Sequence, residues 1–288
     1  MQILTKVSTL IALGVFGIAY IGIWLRALLQ RKELSMPKPA ELATGLVTDF
    51  FDTLGIGSFA TTTAIFQLTR MVPDELIPGT LNVGHVLPVV FEAFIFIAVI
   101  EVDPLTLILL LASATAGAWF GAGWVAQLPK RKIQIGVGCA LLIAFVALLT
   151  RQLDLFPTGG AALGLTGFPL VLAVLLNGII GALSTLGIGI YAPCMTMVSL
   201  LGMNPAAAFP IMMGSAAFLG PVAGARFILS KAYSPRVALG LTFGGLVGVP
   251  IAAFLVKSLP LDALRWLVMA VVLYAAQAML RSAFATRR

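Results

Sequence analysis

The chain predicts an all-α polytopic membrane protein built as an inverted repeat. Each half is expected to hold one broken re-entrant hairpin plus three transmembrane helices, and one extra N-terminal transmembrane helix precedes them. Three observations carry this. Of 288 residues, 60% are hydrophobic and only 10% charged, against about 25% charged in a soluble domain. The pentad TLGIG stands at 53–57 and again at 185–189. The lysines and arginines sort to one side of a bilayer only if both pentads turn the chain back inside it.

The pentads belong to a longer duplication. Shifting the sequence by 132 residues pairs Ala60 with Ala192, Leu68 with Leu200, Met71 with Met203, Pro73 with Pro205 and Pro78 with Pro210. Ten of the twenty-six positions in 53–78 are identical, where composition alone gives roughly two or three.

Taken in order, residues 7–29 read as a retained first helix rather than a cleaved signal. The apolar run is long, lacks a small-x-small site and ends on Arg26, Arg31 and Lys32. A polar loop leads to the stretch 42–70, interrupted by Gly55 and Gly57. Apolar segments follow at 76–99, 104–128 and 133–151, each close to the roughly 20 residues that cross a bilayer core. The Gly/Pro-rich loop 152–168 separates the halves. The plan then repeats as 169–201 with its own break, 206–229, 237–256 and 263–281. The organisation is therefore 1–41 (first helix and cytoplasmic loop), 42–151 (first repeat), 152–168 (loop) and 169–288 (second, inverted repeat), in a single membrane domain.

Charge decides how the broken stretches run. If 42–70 crossed fully, Arg31 and Lys32 would lie opposite Lys130, Arg131 and Lys132, against the tendency of cytoplasmic loops to hold the basic residues. If each stretch enters halfway and returns, fourteen cations share one side: Arg26, Arg31, Lys32, Lys38, Arg70, Lys130, Arg131, Lys132, Arg226, Lys231, Arg236, Arg281, Arg287 and Arg288. Four fall on the other, Lys6, Arg151, Lys257 and Arg265, with Glu101, Asp103, Asp154 and Asp262. The N-terminus is then outside and the C-terminus cytoplasmic, and the expected location is a bacterial inner membrane. A hairpin plus three crossings is an odd number, so the second half must be inverted. Paired broken segments in inverted repeats point to the midplane site of a secondary transporter. Backbone leaves the helix at that depth only where protein or a water-filled cavity satisfies it, so the two breaks should meet at a cavity.

The stretches GLVTDFFDTLGIG, VPDELIPGTLNVGH and NGIIGALSTLGIG, the last followed by Pro193, resemble the TauE/SafE family of sulfite exporters, also called sulfonate-uptake permeases. The likeness covers most of the chain after the first helix. It implies a permease for a small sulfur-containing anion such as sulfite, sulfoacetate or another organosulfonate. Many members carry glycines and then a proline after each break; here GIGSFATTT lacks the proline and GIGIYAPCM keeps it. The alternative is a transporter or channel for another small anion, such as a carboxylate.

No Lys or Arg is expected near the midplane, so an anion would be met by backbone N–H groups at broken helix ends. Hydroxyls at Thr53, Ser58, Thr61, Thr62, Thr63, Ser184 and Thr185 could assist. Gly55, Gly57, Gly187 and Gly189 would admit a ligand to the backbone, or would only turn the hairpins and let helices pack. Asp49 and Asp52, three apart on one helical face, have Gly181 and Ser184 at the matched positions. They either couple protons or bind backbone groups freed at the break. Asn82, His85 and Glu92 share a face of a helix that Pro88 should bend, with His85 and Glu92 forming either a proton relay or a structural pair. Cys194, beside the second break, is either a contact for a sulfur compound or apolar filler, and Cys139 is filler. The two cysteines give neither a disulfide framework nor a metal site. No cofactor, metal or nucleic-acid partner is expected; the partners are the anion, the lipid bilayer and protons as coupling ion, with a homodimer left open. The chain has no H-E-x-x-H, G-x-S-x-G or Walker pattern, so neither an enzyme nor a self-contained ATP-driven pump is expected.

Overall fold

The computed structural model describes residues 2–155, 160–255 and 261–285. Lys257, Arg287 and Arg288 of the charge count lie outside them, as do the side chains of Arg151, Asp262 and Arg265. The described residues form twelve helices and no strand. In the first half these are α1 (Gln2–Arg31), α2 (Pro39–Thr53), α3 (Ser58–Thr69), α4 (Ile77–Gly84), α5 (Val86–Val99), α6 (Pro104–Val125) and α7 (Lys130–Gln152). In the second they are α8 (Gly167–Leu183), α9 (Tyr191–Leu200), α10 (Ala208–Ser230), α11 (Pro235–Pro250) and α12 (Leu261–Ala285). Shifted by the sequence offset, α2 falls on α8, α3 on α9, α4 with α5 on α10, α6 on α11 and α7 on α12.

Local chemistry explains the boundaries. α2, α6 and α11 each begin with proline in the first turn, where its missing N–H has no helical partner to lose. Asp103 caps α6 by accepting from the Thr106 backbone N–H at 2.8 Å. The two breaks repeat in geometry as well as sequence. Gly55 and Gly187 have φ of 78° and 101°, and Gly57 and Gly189 have φ of 95° and 76°, a region that costs an L-residue with a side chain roughly 1–2 kcal/mol. α8 passes into its break through a wide turn at Ser184–Ile188.

The segment expected as one helix bent at Pro88 is interrupted instead at His85. Pro88 has no N–H for the Gly84 carbonyl, and that carbonyl accepts from Thr242 Oγ1 of α11 at 2.6 Å. The neighbouring Val83 carbonyl accepts from the Tyr20 hydroxyl of α1 at 2.7 Å. Side chains of two other helices thus hold the interruption open.

Seven helical segments among the described residues are long and apolar enough to cross a membrane: Lys6–Arg31, Asp74–Ala98, Pro104–Val125, Lys130–Thr150, Gly167–Gly187, Ala208–Ser230 and Pro235–Phe254. Large apolar side chains stay exposed along them, including Ile18, Phe120, Leu175 and Phe243, a surface that fits lipid rather than water. The chain is a polytopic α-helical membrane protein. The set differs from the expected one at two places: the stretch through α8 is long enough to count, and α12 is not in it.

Glycine stripes seat the helices across the two halves. A Cβ on Gly45 of α2 would strike the Leu241 carbonyl of α11, and one on Gly244 or Gly248 of α11 would strike the Leu42 or Leu46 carbonyl of α2. In the same way Gly117 and Gly121 of α6 lie on the Gly178 and Ala182 carbonyls of α8, and Gly181 lies on the Ala114 carbonyl. Small residues four apart are what lets helices approach this closely in lipid. So α2 of the first half lies on α11 of the second, and α8 of the second lies on α6 of the first.

Polar bonds gather the helix ends. Glu41 of α2 pairs with Arg236 of α11 at 3.0 Å, Arg31 donates to the Ile228 carbonyl at 2.8 Å, and the Ser234 N–H donates to Thr80 Oγ1 at 3.0 Å. Asp74 accepts from Gln67 of α3 and Gln134 of α7, both at 2.8 Å. A second group ties the segment before α8 to the segment after α9: the Asn204 N–H donates to the Ala162 carbonyl at 2.8 Å and the Gly160 N–H to the Met203 carbonyl at 3.0 Å. The start of α6 joins this second group, since the Asp103 N–H donates to the Leu163 carbonyl at 2.8 Å.

Candidate functional site

Both breaks open onto one cavity. Its wall takes Gly55, Ile56, Gly57 and Ser58 from the first break, and Ser184, Gly189, Ile190 and Tyr191 from the second. α4, α5 and the His85 junction contribute Leu81, Asn82, His85 and Val89, and α10 contributes Met212, Ala216 and Gly220. Traced by the centres of water-sized spheres the cavity is about 90 Å³, against roughly 10–15 Å³ needed for one water on that measure. It therefore has room for a small solute. Among the described residues no Lys or Arg lines it, while the first turns of α3 and α9, whose N–H groups lack partners within the helix, border it; the Ser58 N–H among them is taken by Asp52 Oδ1.

Two polar chains are built beside the cavity. In the first, His85 Nδ1 lies 2.8 Å from Asp49 Oδ1 and Nε2 lies 3.0 Å from Thr62 Oγ1. A neutral imidazole satisfies both: Nδ1–H donates to the carboxylate and Nε2 accepts from the hydroxyl. The order hydroxyl, imidazole, carboxylate is that of a nucleophilic triad, yet Thr62 has zero exposure and lies off the cavity wall. Here the imidazole itself faces the cavity.

In the second chain, Asp52 Oδ1 accepts the Ser58 backbone N–H at 2.6 Å. The Tyr191 hydroxyl stands 3.3 Å from Asp52 Oδ2 and 2.8 Å from Glu92 Oε2. Asp52 thus binds a backbone group freed at its own break, one of the two roles expected of it, and reaches the other break through Tyr191. Asn82 makes a further link between halves, donating to the Thr185 carbonyl at 3.2 Å and to the Pro78 carbonyl at 2.8 Å. The pairing expected between His85 and Glu92 is not made. His85 turns to Asp49 and Glu92 to Tyr191, because the interruption at His85 breaks the single helical face on which the pairing relied.

Of the residues expected at a site, Asp52, Gly55, Gly57, Ser58, Asn82, His85, Ser184 and Gly189 line the cavity. Thr53, Thr61, Thr62, Thr185, Gly187, Cys194, Asp49 and Glu92 do not. Most of the hydroxyls expected at the site donate within their own helix: Thr53 to the Asp49 carbonyl, Thr61 to Ser58, Thr63 to Phe59, Ser184 to Gly181 and Thr185 to Ala182, at 2.7–2.9 Å. This back-bonding is the ordinary habit of Ser and Thr in apolar helices. Cys194 is fully buried and packs as filler.

Tyr191 was missed. It occupies the position of Phe59 in the repeat, so the added hydroxyl was a readable difference between the two halves. Met195 and Met212 also line the cavity, and nothing in their spacing marked them out. Comparison of the chain with protein-family models, curated proteins and solved structures gives no match.

Proposed function

We infer that this chain is a secondary transporter for a small anion, bound between the two TLGIG breaks. The observation that carries the reading is a single cavity walled by both breaks and by the first turns of α3 and α9. Backbone N–H groups and helix dipoles there favour negative charge without a buried cation. Gly57 and Gly189 leave the backbone open to a ligand.

The bonds at the helix ends support half-inserted, oppositely oriented hairpins. The segments flanking α8 and α9 are hydrogen-bonded to each other, as expected if the chain enters and leaves on one side. The start of α2 and the end of α3 meet contacts of α11, α4 and α7 that a few residues of chain connect. Between these two groups runs α6, whose 22 residues span roughly 33 Å at 1.5 Å per residue. That separation supports hairpin bases on opposite faces of a bilayer, and a bacterial inner membrane fits the basic loops. The sulfur-containing class of anion rests on the likeness of the quoted motifs to the TauE/SafE family; a carboxylate is the competing cargo.

Flux into proteoliposomes tests both. Sulfite or an organosulfonate should be taken up and should outcompete acetate; the reverse order would assign the carboxylate. Gly57→Val and Gly189→Val should abolish uptake while the protein still folds, because a Cβ at Gly57 meets nothing within 4 Å and one at Gly189 meets only Phe59 Cβ at 3.9 Å, and the backbone strain is only about 1–3 kcal/mol. Normal uptake by either variant would remove the breaks from the site.

A further inference from the structure

The Tyr191 hydroxyl carries one hydrogen but faces two carboxyl groups, Asp52 Oδ2 at 3.3 Å and Glu92 Oε2 at 2.8 Å. One hydroxyl cannot donate to both, so two ionised carboxylates would leave one buried negative oxygen opposed to a lone pair. Burial makes that arrangement expensive: Asp52 is 3% exposed and Glu92 is 0% exposed. Glu92 Oε1 is buried with no hydrogen-bond partner at all, which suits the carbonyl oxygen of a neutral acid far better than half of a carboxylate.

One added proton satisfies every contact. With Glu92 protonated on Oε2, that O–H donates to the Tyr191 oxygen. Tyr191 then donates to ionised Asp52, which also holds the Ser58 N–H. The ionisable groups facing this chain are Asp49 and Asp52 on α2 and His85 at the junction; none is a lysine or arginine.

We propose that a proton held on Glu92 latches the two breaks together through Tyr191, and that its departure releases them. The position of Tyr191 decides this. It sits at the second break, its hydroxyl reaches Asp52 just before the first break, and Glu92 stands behind it on α5, away from the cavity wall. When the proton leaves, Glu92 passes it to the Tyr191 oxygen, Tyr191 passes its own to Asp52, and Asp52, which lines the cavity, gives it to water there. The hydrogen left on Tyr191 is the one that came from Glu92, so its O–H already donates to the ionised Glu92, and the bond between the breaks is gone. Loading runs the same steps backwards. The proposal deepens the transport reading by making the proton the coupling ion of the same cavity.

Infrared difference spectra of the purified protein, neutral against alkaline buffer so that exposed carboxyl groups are ionised in both, test the latch without any transport. The expected result is a protonated-carboxyl C=O band at neutral pH that is lost in alkali. It should vanish in Glu92→Gln, persist in Asp52→Asn and shift to higher frequency in Tyr191→Phe, which removes the acceptor. Tyr191→Phe installs the residue that the repeat already tolerates at Phe59. A band that survives Glu92→Gln, or that ignores Tyr191→Phe, overturns the proposal, as does the absence of any such band. In proteoliposomes, residual anion flux in Glu92→Gln should be indifferent to an imposed pH gradient. An intact infrared result with no anion flux in the unaltered protein would instead retire the transport reading and leave the latch.

Discussion

Single side chains at this site are held by partners from other helices, and that is where sequence reasoning reached least far. His85 was visible as the lone histidine, and Asp49 as an acid inside an apolar run. Their pairing was not, because helical period tells which face a residue occupies and not which helix lies opposite. The bond has a measurable weight. Thr62→Val and Asp49→Ala each leave one imidazole nitrogen without a partner at a group 1% exposed. Each should lower stability in detergent by about 1–3 kcal/mol, read as a drop in melting temperature, whereas Thr69→Val, whose hydroxyl is exposed, should change it little. Asp52 was more legible: a carboxylate just before a helix break was expected either to couple protons or to take a freed backbone group, and it holds the Ser58 N–H.

Among the elements, the breaks were readable because glycine, proline and a repeated pentad announce them, and the structure gives both breaks matching backbone angles. What stayed hidden is how helices choose neighbours. Gly117 with Gly121, and Gly240 with Gly244 and Gly248, recur every four residues, yet glycines are common in this chain and the spacing alone does not single out its contacts. The close approach has a consequence that mutation can measure. Gly244→Leu should wedge α11 off α2 and destabilise the protein by about 1–3 kcal/mol or more. Gly22→Ala, with open space where its Cβ would go, should be neutral or should stabilise by up to about 1 kcal/mol. Melting temperatures of the two variants compared side by side check the pair.

For the whole molecule, composition made the membrane class plain, and the repeat offset carried through to the order of elements. Length alone does not separate a crossing from an arm that turns back: the stretch through α8 is long enough to be either. Orientation is open to a direct measurement. Cysteines placed at Lys32 and Lys130 should react with an impermeant thiol reagent from the same face of sealed vesicles, and one at Glu101 from the opposite face; labelling of the first two from different faces would undo the inverted arrangement. The exchange of seats between halves, α2 on α11 and α8 on α6, also governs how the molecule is made. Glu41 meets Arg236 at a sequence separation of 195, so during synthesis the first elbow has no bed until most of the polypeptide has left the ribosome. Contacts this remote close slowly and leave polar backbone bare in the meantime. The nascent first half is therefore expected to need shelter until α11 emerges, with release into lipid late and shared by both halves.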